Sequence, residues 1–112
     1  MKVTSKNKMH PMTISKDALG KYKLMVKGNG DISDDLAARK ITRNWLLGTR
    51  AKSDDKRFEV RDYGFLTITQ DKSTKAIVDI NNKAYIVTNN NVAYIDEKKK
   101  AMLNFRLGIG KR

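Results

Sequence analysis

The sequence predicts an α+β fold in which two N-terminal helices pack on a four- to five-stranded antiparallel sheet, arranged as a meander. Three observations carry this. Apolar residues recur at spacings of three and four as far as Leu47, they alternate with polar residues from Phe58 onward, and from Asp62 short polar clusters interrupt the apolar runs at short intervals. With 112 residues, 39% of them hydrophobic, the chain fits one domain with one modest core.

The first helix is expected from Ile14 to Val26, because Ile14, Ala18, Leu19, Tyr22, Met25 and Val26 fall on one face. Ser15 or Thr13 caps it, Asp17 suits the positive end of its dipole, and Gly28-Asn29-Gly30 ends it. The second helix starts at the cap Ser33, carries Asp34 and Asp35 in its first turn, and stops at Gly48. Leu36, Ala37, Ile41, Trp45 and Leu46 are its inward face, and Arg39, Lys40 and Arg43 are expected to project outward. A polar loop runs from Thr49 to Lys56. Phe58 and Val60 alternate with Arg57, Glu59 and Arg61 as in a half-buried strand, and Asp62-Tyr63-Gly64 turns the chain. Phe65–Thr69, Lys75–Ile80, Ala84–Thr88 and Val92–Ile95 continue the meander, separated by Asp71-Lys72-Ser73-Thr74, Asn81-Asn82 and Asn89-Asn90-Asn91. The stretch 96–107, with Met102, Leu103, Phe105 and Leu107, reads equally as a short helix or a last strand. Residues 1–12 are expected to be a flexible basic arm, 13–107 a single α+β domain, and 108–112 a loose basic tail.

Charge is segregated along the chain. The net charge is +12, from 24 basic and 12 acidic residues. Residues 1–27 hold seven basic groups against Asp17 alone, residues 98–112 hold six and no acid, and residues 28–97 balance eleven against eleven. If the fold brings the termini together, the two segments form one positive field, which attracts polyanions by counterion release. The bland alternative is a lysine-rich surface that serves solubility.

Several chemistries are excluded or disfavoured. Without cysteine there is neither a disulfide nor a thiolate metal site, and His10 is the sole histidine. No aspartate run has EF-hand spacing, and the glycine pairs lack the nucleotide-binding arrangements, so no cofactor and no metal is expected. His10 precedes a proline with no nucleophile at a recognisable spacing, which reads as an ordinary exposed histidine. No apolar run has membrane-spanning length, and no apolar stretch follows the basic N-terminus as in a leader, so the expected location is the cytoplasm, with no membrane partner.

Arg57, Arg61 and Tyr63, with Arg39 and Arg43 upstream, are the residues best suited to phosphate chemistry. On a strand, Arg57 and Arg61 share a face with Glu59, opposite Phe58 and Val60, and two guanidiniums there could clamp phosphates or stabilise a phosphorane-like charge. The alternative is a solvated strand face with Glu59 paired to its neighbours. Tyr22, Tyr63, Tyr85 and Tyr94 are candidates for base stacking or for core packing.

Residues 13–80 resemble, in layout, the small RelE- and RegB-type ribonucleases. The matching stretches are Ser15-Lys16-Asp17-Ala18-Leu19-Gly20-Lys21-Tyr22, Trp45-Leu46-Leu47-Gly48, and the hairpin from Arg57 to Ile68. Relatives often carry histidine or arginine in the first helix, where this chain has Asp17 and Lys21. The resemblance implies Arg61 and Tyr63 as catalytic residues of a metal-independent endoribonuclease.

The expected function is nucleic-acid binding, with RNA ahead of DNA. The expected phosphate contacts are Lys16, Lys23, Lys27, Arg39, Arg43, Arg57, Lys98, Lys99, Lys100 and Arg106. Two other readings stand beside it: the endoribonuclease of toxin type, and a phage-type inhibitor whose basic surface binds an acidic patch on a host nucleic-acid-processing enzyme.

Overall fold

Ser15 and Ser33 start the first two helices by the same chemistry. In the computed structural model, which describes residues 8–26, 28–82 and 96–109, helix α1 spans Lys16–Met25 and helix α2 spans Asp34–Leu47. Ser15 Oγ accepts from the Ala18 N–H and Ser33 Oγ from the Leu36 N–H, each satisfying a donor that the first turn leaves without a partner. Gly48 ends α2 with its N–H on the Trp45 carbonyl.

A four-stranded antiparallel sheet follows, in the order β1-β2-β3-β4, with β1 Thr49–Ala51, β2 Phe58–Tyr63, β3 Leu66–Asp71 and β4 Ile77–Asn82. Strand β1 occupies the start of the segment expected to be loop, because Thr49, Arg50 and Ala51 pair with Asp62, Arg61 and Val60. The strands expected at 84–88 and 92–95 lie outside the described residues. The open stretch 96–107 is a helix: α3 spans Glu97–Leu107, with Asp96 Oδ1 accepting from the Lys98 and Lys99 N–H groups. It closes on Gly108 in the left-handed conformation, with the Ile109 N–H on Asn104 O.

Helix α1 packs on β4 and α2 on β2, so both helices cover one face of the sheet. Between them lies the main core, built on Ala18, Tyr22, Ala37, Ile41, Trp45, Leu66, Ile68, Ile77 and Ile80. Each fully buried isoleucine contributes roughly 1.5–3 kcal/mol relative to leaving it in water. Helix α3 packs on α2 through a second cluster, Leu103, Leu107 and Ile109, against Met9, Leu36, Leu46 and Leu47. Leu46 touches both clusters and couples them.

The N-terminal segment ties these layers together. Residues 1–7 of the expected arm lie outside the described residues, whereas 8–15 are held at three points. The Met9 N–H donates to Arg106 O, the Met12 N–H to Thr42 Oγ1, and Thr13 and Ser15 make a parallel bridge to Ile77.

The faces of β2 are the reverse of those the alternation suggests. Directly paired residues share a face, and Glu59, Arg61 and Tyr63 pair with Gln70, Ile68 and Leu66, all buried under the helices. Arg61 and Glu59 therefore face inward, and Phe58 and Val60 face out. Gly48 permits this approach of helix and strand: a Cβ there would stand 3.1 Å from Arg61 Cβ and from two carbonyl oxygens.

Candidate nucleic-acid interface

Two regions concentrate basic side chains, and they differ in what surrounds those charges. The first lies on β1, β2 and the turn before β2. Arg50 and Arg61 are directly opposed across β1 and β2, a repulsive pairing that the Glu59 carboxylate bridges. Glu59 Oε2 lies 2.9 Å from Arg61 Nε and 3.4 Å from Arg50 Nε. Arg61 Nη1 donates to the Trp45 carbonyl at 2.9 Å, and its guanidinium stacks 4.2 Å from the indole centroid. Burial pushes the Glu59 carboxyl up, but Arg61 and Arg50 together outweigh it and hold the group below the usual carboxylate range. Arg57 is exposed and paired with Asp55 at 2.9 Å, which raises its own pKa and lowers that of Asp55. Tyr63 packs against the core. The two resemblance-derived residues thus sit on the helix-facing side, with the Arg61 guanidinium engaged by Glu59 and Trp45.

The second region is built on α3. Leu103 and Leu107, four apart, face α2, which turns Lys98, Met102 and Phe105 outward. Phe105 is 62% exposed and Met102 47%. Between the end of α3 and residues 8–11 runs a groove of about 500 Å³ lined by Lys8, His10, Arg39, Asn104, Phe105 and Arg106, among others, with no carboxylate in its lining. The two basic terminal segments meet here. Lys98 and Lys99 are exposed and Lys100 half-buried, and none of the three has an ion pair among the described residues. All twelve acidic residues of the chain fall within the described residues, and only Asp96 and Glu97 belong to this helix or its cap. Three lysines in its first turns oppose the helix dipole, at about 0.3–1 kcal/mol each.

A family model named YorE matches residues 12–105. The chain belongs to the YorE family. The match spans both helices, the sheet and most of α3, and it provides no link to the RelE- and RegB-type ribonucleases. No curated protein and no solved structure matches this YorE chain significantly.

The remaining expected contacts separate into three groups. Arg39, Lys40 and Arg43 do not project outward, because α3 and the residues around Asn29 cover that face of α2. Arg39 Nη1 donates to Leu107 O and Arg43 Nη1 to Asn104 Oδ1, both at 2.9 Å, which fastens α3 to α2. Arg39 Nε also lies 2.9 Å from Asp35 Oδ2, an ion pair too poorly aligned to be a hydrogen bond. Lys40 donates to the buried Asn29, and burial, followed by the charge of Arg43, lowers its pKa. Lys16 and Lys23 are on α1, Lys23 pairs with Asp34 at 2.6 Å, and neither lines the groove. Lys27, Tyr85 and Tyr94 lie outside the described residues, and Tyr22 is a core residue whose burial raises its phenol pKa.

Phe105 and His10 are groove residues that the sequence did not assign to binding, whereas Lys8 belongs to the basic N-terminal segment expected to attract polyanions. Helical spacing was the available signal: once 97–107 is a helix, Leu103 and Leu107 take the inner face and Met102 and Phe105 the outer. Among the described residues no cluster of three histidine, aspartate or glutamate side chains is placed to hold a metal ion. No described helix is long and apolar enough to cross a membrane.

Proposed function

We propose that this YorE-family chain is a nucleic-acid-binding protein, with RNA ahead of DNA, and that α3 and the groove beside it are its contact surface. One observation carries the reading: three consecutive lysines in the first turns of α3, unpaired among the described residues and set against the helix dipole, on the helix that opens onto the carboxylate-free groove of Lys8, His10 and Arg106. A local arrangement that costs helix stability marks a functional surface better than cations that neutralise neighbouring acids. Lys98, Lys99 and Arg106 would meet phosphates. Arg39 would hold the groove floor through α3.

The toxin-type endoribonuclease ranks behind this reading. Its two named residues, Arg61 and Tyr63, face the helices, and Arg61 already makes three internal contacts. The inhibitor of a host enzyme draws on the same basic surface and differs only in its partner.

The test is binding of labelled RNA across a salt series by the parent chain and by a variant with Lys98, Lys99 and Lys100 all changed to alanine. The slope of log affinity against log salt is expected to fall by up to about 2, at roughly 0.7 per single-strand phosphate contact. An unchanged slope would remove α3 from the interface. Failure to bind any nucleic acid at low salt would overturn the function itself and redirect the search to acidic protein surfaces. RNA recovered cleaved, with cleavage lost in Arg61→Ala, would promote the ribonuclease.

A further inference from the structure

Resting on the binding function proposed above, we infer that the α3 groove selects single-stranded over duplex nucleic acid, with an unpaired base stacked on Phe105.

Phe105 is 62% exposed on the outer face of α3, and Met102, one turn earlier, is 47% exposed. Leaving both in water forgoes the burial that Leu103 and Leu107 obtain on the inner face. Lysine and arginine flank this stripe: Lys98 follows it toward the N-terminus, Arg106 adjoins Phe105, and Lys8 lines the opposite wall of the groove beside His10. Lys98 and Phe105 are seven residues apart, roughly 10 Å along the helix axis. A basic track beside an aromatic platform is the arrangement that holds unpaired strands, because the faces of unpaired bases are open to stacking.

Duplex readout would ask something else of this helix. Base edges in a major groove are read by arginine, asparagine, glutamine or similar donors and acceptors presented on the outer face. Here the centre of that face carries Met102 and Phe105, and the asparagine nearest to it is turned to other work: Asn104 Oδ1 accepts from Arg43. In a duplex the base faces are closed to a phenylalanine ring except at ends, bulges and loops.

The experiment compares an unstructured single-stranded RNA with RNA and DNA duplexes of equal length, using the full chain and the variants Phe105→Ala and Phe105→Trp, with circular dichroism confirming that each is folded. The parent is expected to prefer the single strand. Phe105→Ala should weaken single-strand binding by about 5- to 150-fold, the range equivalent to one lost base stack, while the salt slope stays unchanged. Phe105→Trp should retain affinity, and its added indole emission should be quenched by the bound strand. Equal or tighter duplex binding, or a Phe105→Ala variant that binds as the parent does, would overturn the inference. That result with a slope still sensitive to Lys98 and Lys99 leaves the binding function intact. No binding to any of the three nucleic acids overturns both.

Discussion

The cations around β2 and those on α3 carry the same formal charge and do opposite things. Arg50, Arg57 and Arg61 each have a carboxylate within 3.4 Å, from Glu59 or Asp55. Lys98, Lys99 and Lys100 have none within ion-pair range among the described residues. Geometry explains the division. A short meander brings residues two apart in sequence, and residues of adjacent strands, onto one face, so acids interspersed among the arginines neutralise them. An α-helix whose only acids are in its cap and first position leaves everything downstream unneutralised. Net charge alone therefore says little about where a polyanion would bind. What matters is which cations the fold has left without an internal partner.

The sharpest way to break the comparison is to remove Arg61. Arg61→Met loses a half-buried ion pair, a carbonyl hydrogen bond and the stack on Trp45, and leaves Glu59 inward-facing with only Arg50. The expected loss is about 2–3 kcal/mol, read as a lower urea midpoint with an unchanged slope. The effect has a pH signature. Because the folded-state pKa of Glu59 lies below its usual value, its contribution is complete above the ordinary glutamate pKa of about 4.3 and is lost as pH falls through the folded value. The gap between parent and variant should thus narrow on acidification, and a gap that stays constant down to pH 3 or so would show that Glu59 plays no part.

Arg39 tests the border between the two regions, since it lines the groove and also holds it together. Arg39→Gln should cost about 1–2 kcal/mol through the lost bond to the Leu107 carbonyl. Amide exchange should accelerate chiefly in α3. Loss of RNA affinity with no loosening of α3 would instead make Arg39 a direct contact. The smallest effect is expected from the lysines. Changing Lys98 and Lys99 to glutamine should raise stability by about 0.6 kcal/mol, the lower end of the dipole range for two exposed charges, because both oppose the helix dipole. A substantial loss on thermal melting would show that these lysines have a structural partner.

Local chemistry made much of the fold legible. Ser15, Ser33 and Gly48 mark the helix ends by side-chain or backbone capping, and each acts within a few residues. The facing of β2 was not legible, because all six of its residues are half-buried and neither set alternates cleanly with solvent. Its orientation is set by pairing with β3, where Leu66 and Ile68 dominate, and Arg61 follows them inward. The proposed interface was legible in part. Composition located the positive ends of the chain, and the Met9–Arg106 hydrogen bond brings them together. Phe105 could be assigned to a core or to a surface only after the choice between helix and strand, since the two periods give it opposite neighbours. The outward reading of Arg39 and Arg43 failed because the helix that covers them arrives about 60 residues later in the chain.

The parallel bridge between residues 13–15 and Ile77 bears on how the sheet behaves among other copies of itself. Ile77 donates to Thr13 O and accepts from the Ser15 N–H, so at that position β4 has no free backbone groups to offer a neighbouring chain. The opposite margin, β1, is three residues long and carries the exposed Arg50. A growing cross-β stack would therefore find one border already stitched at Ile77 and the other too short and too charged to template a new strand. The chain segment that leads from the basic groove into the first helix thus also closes the start of the β4 edge to a further strand.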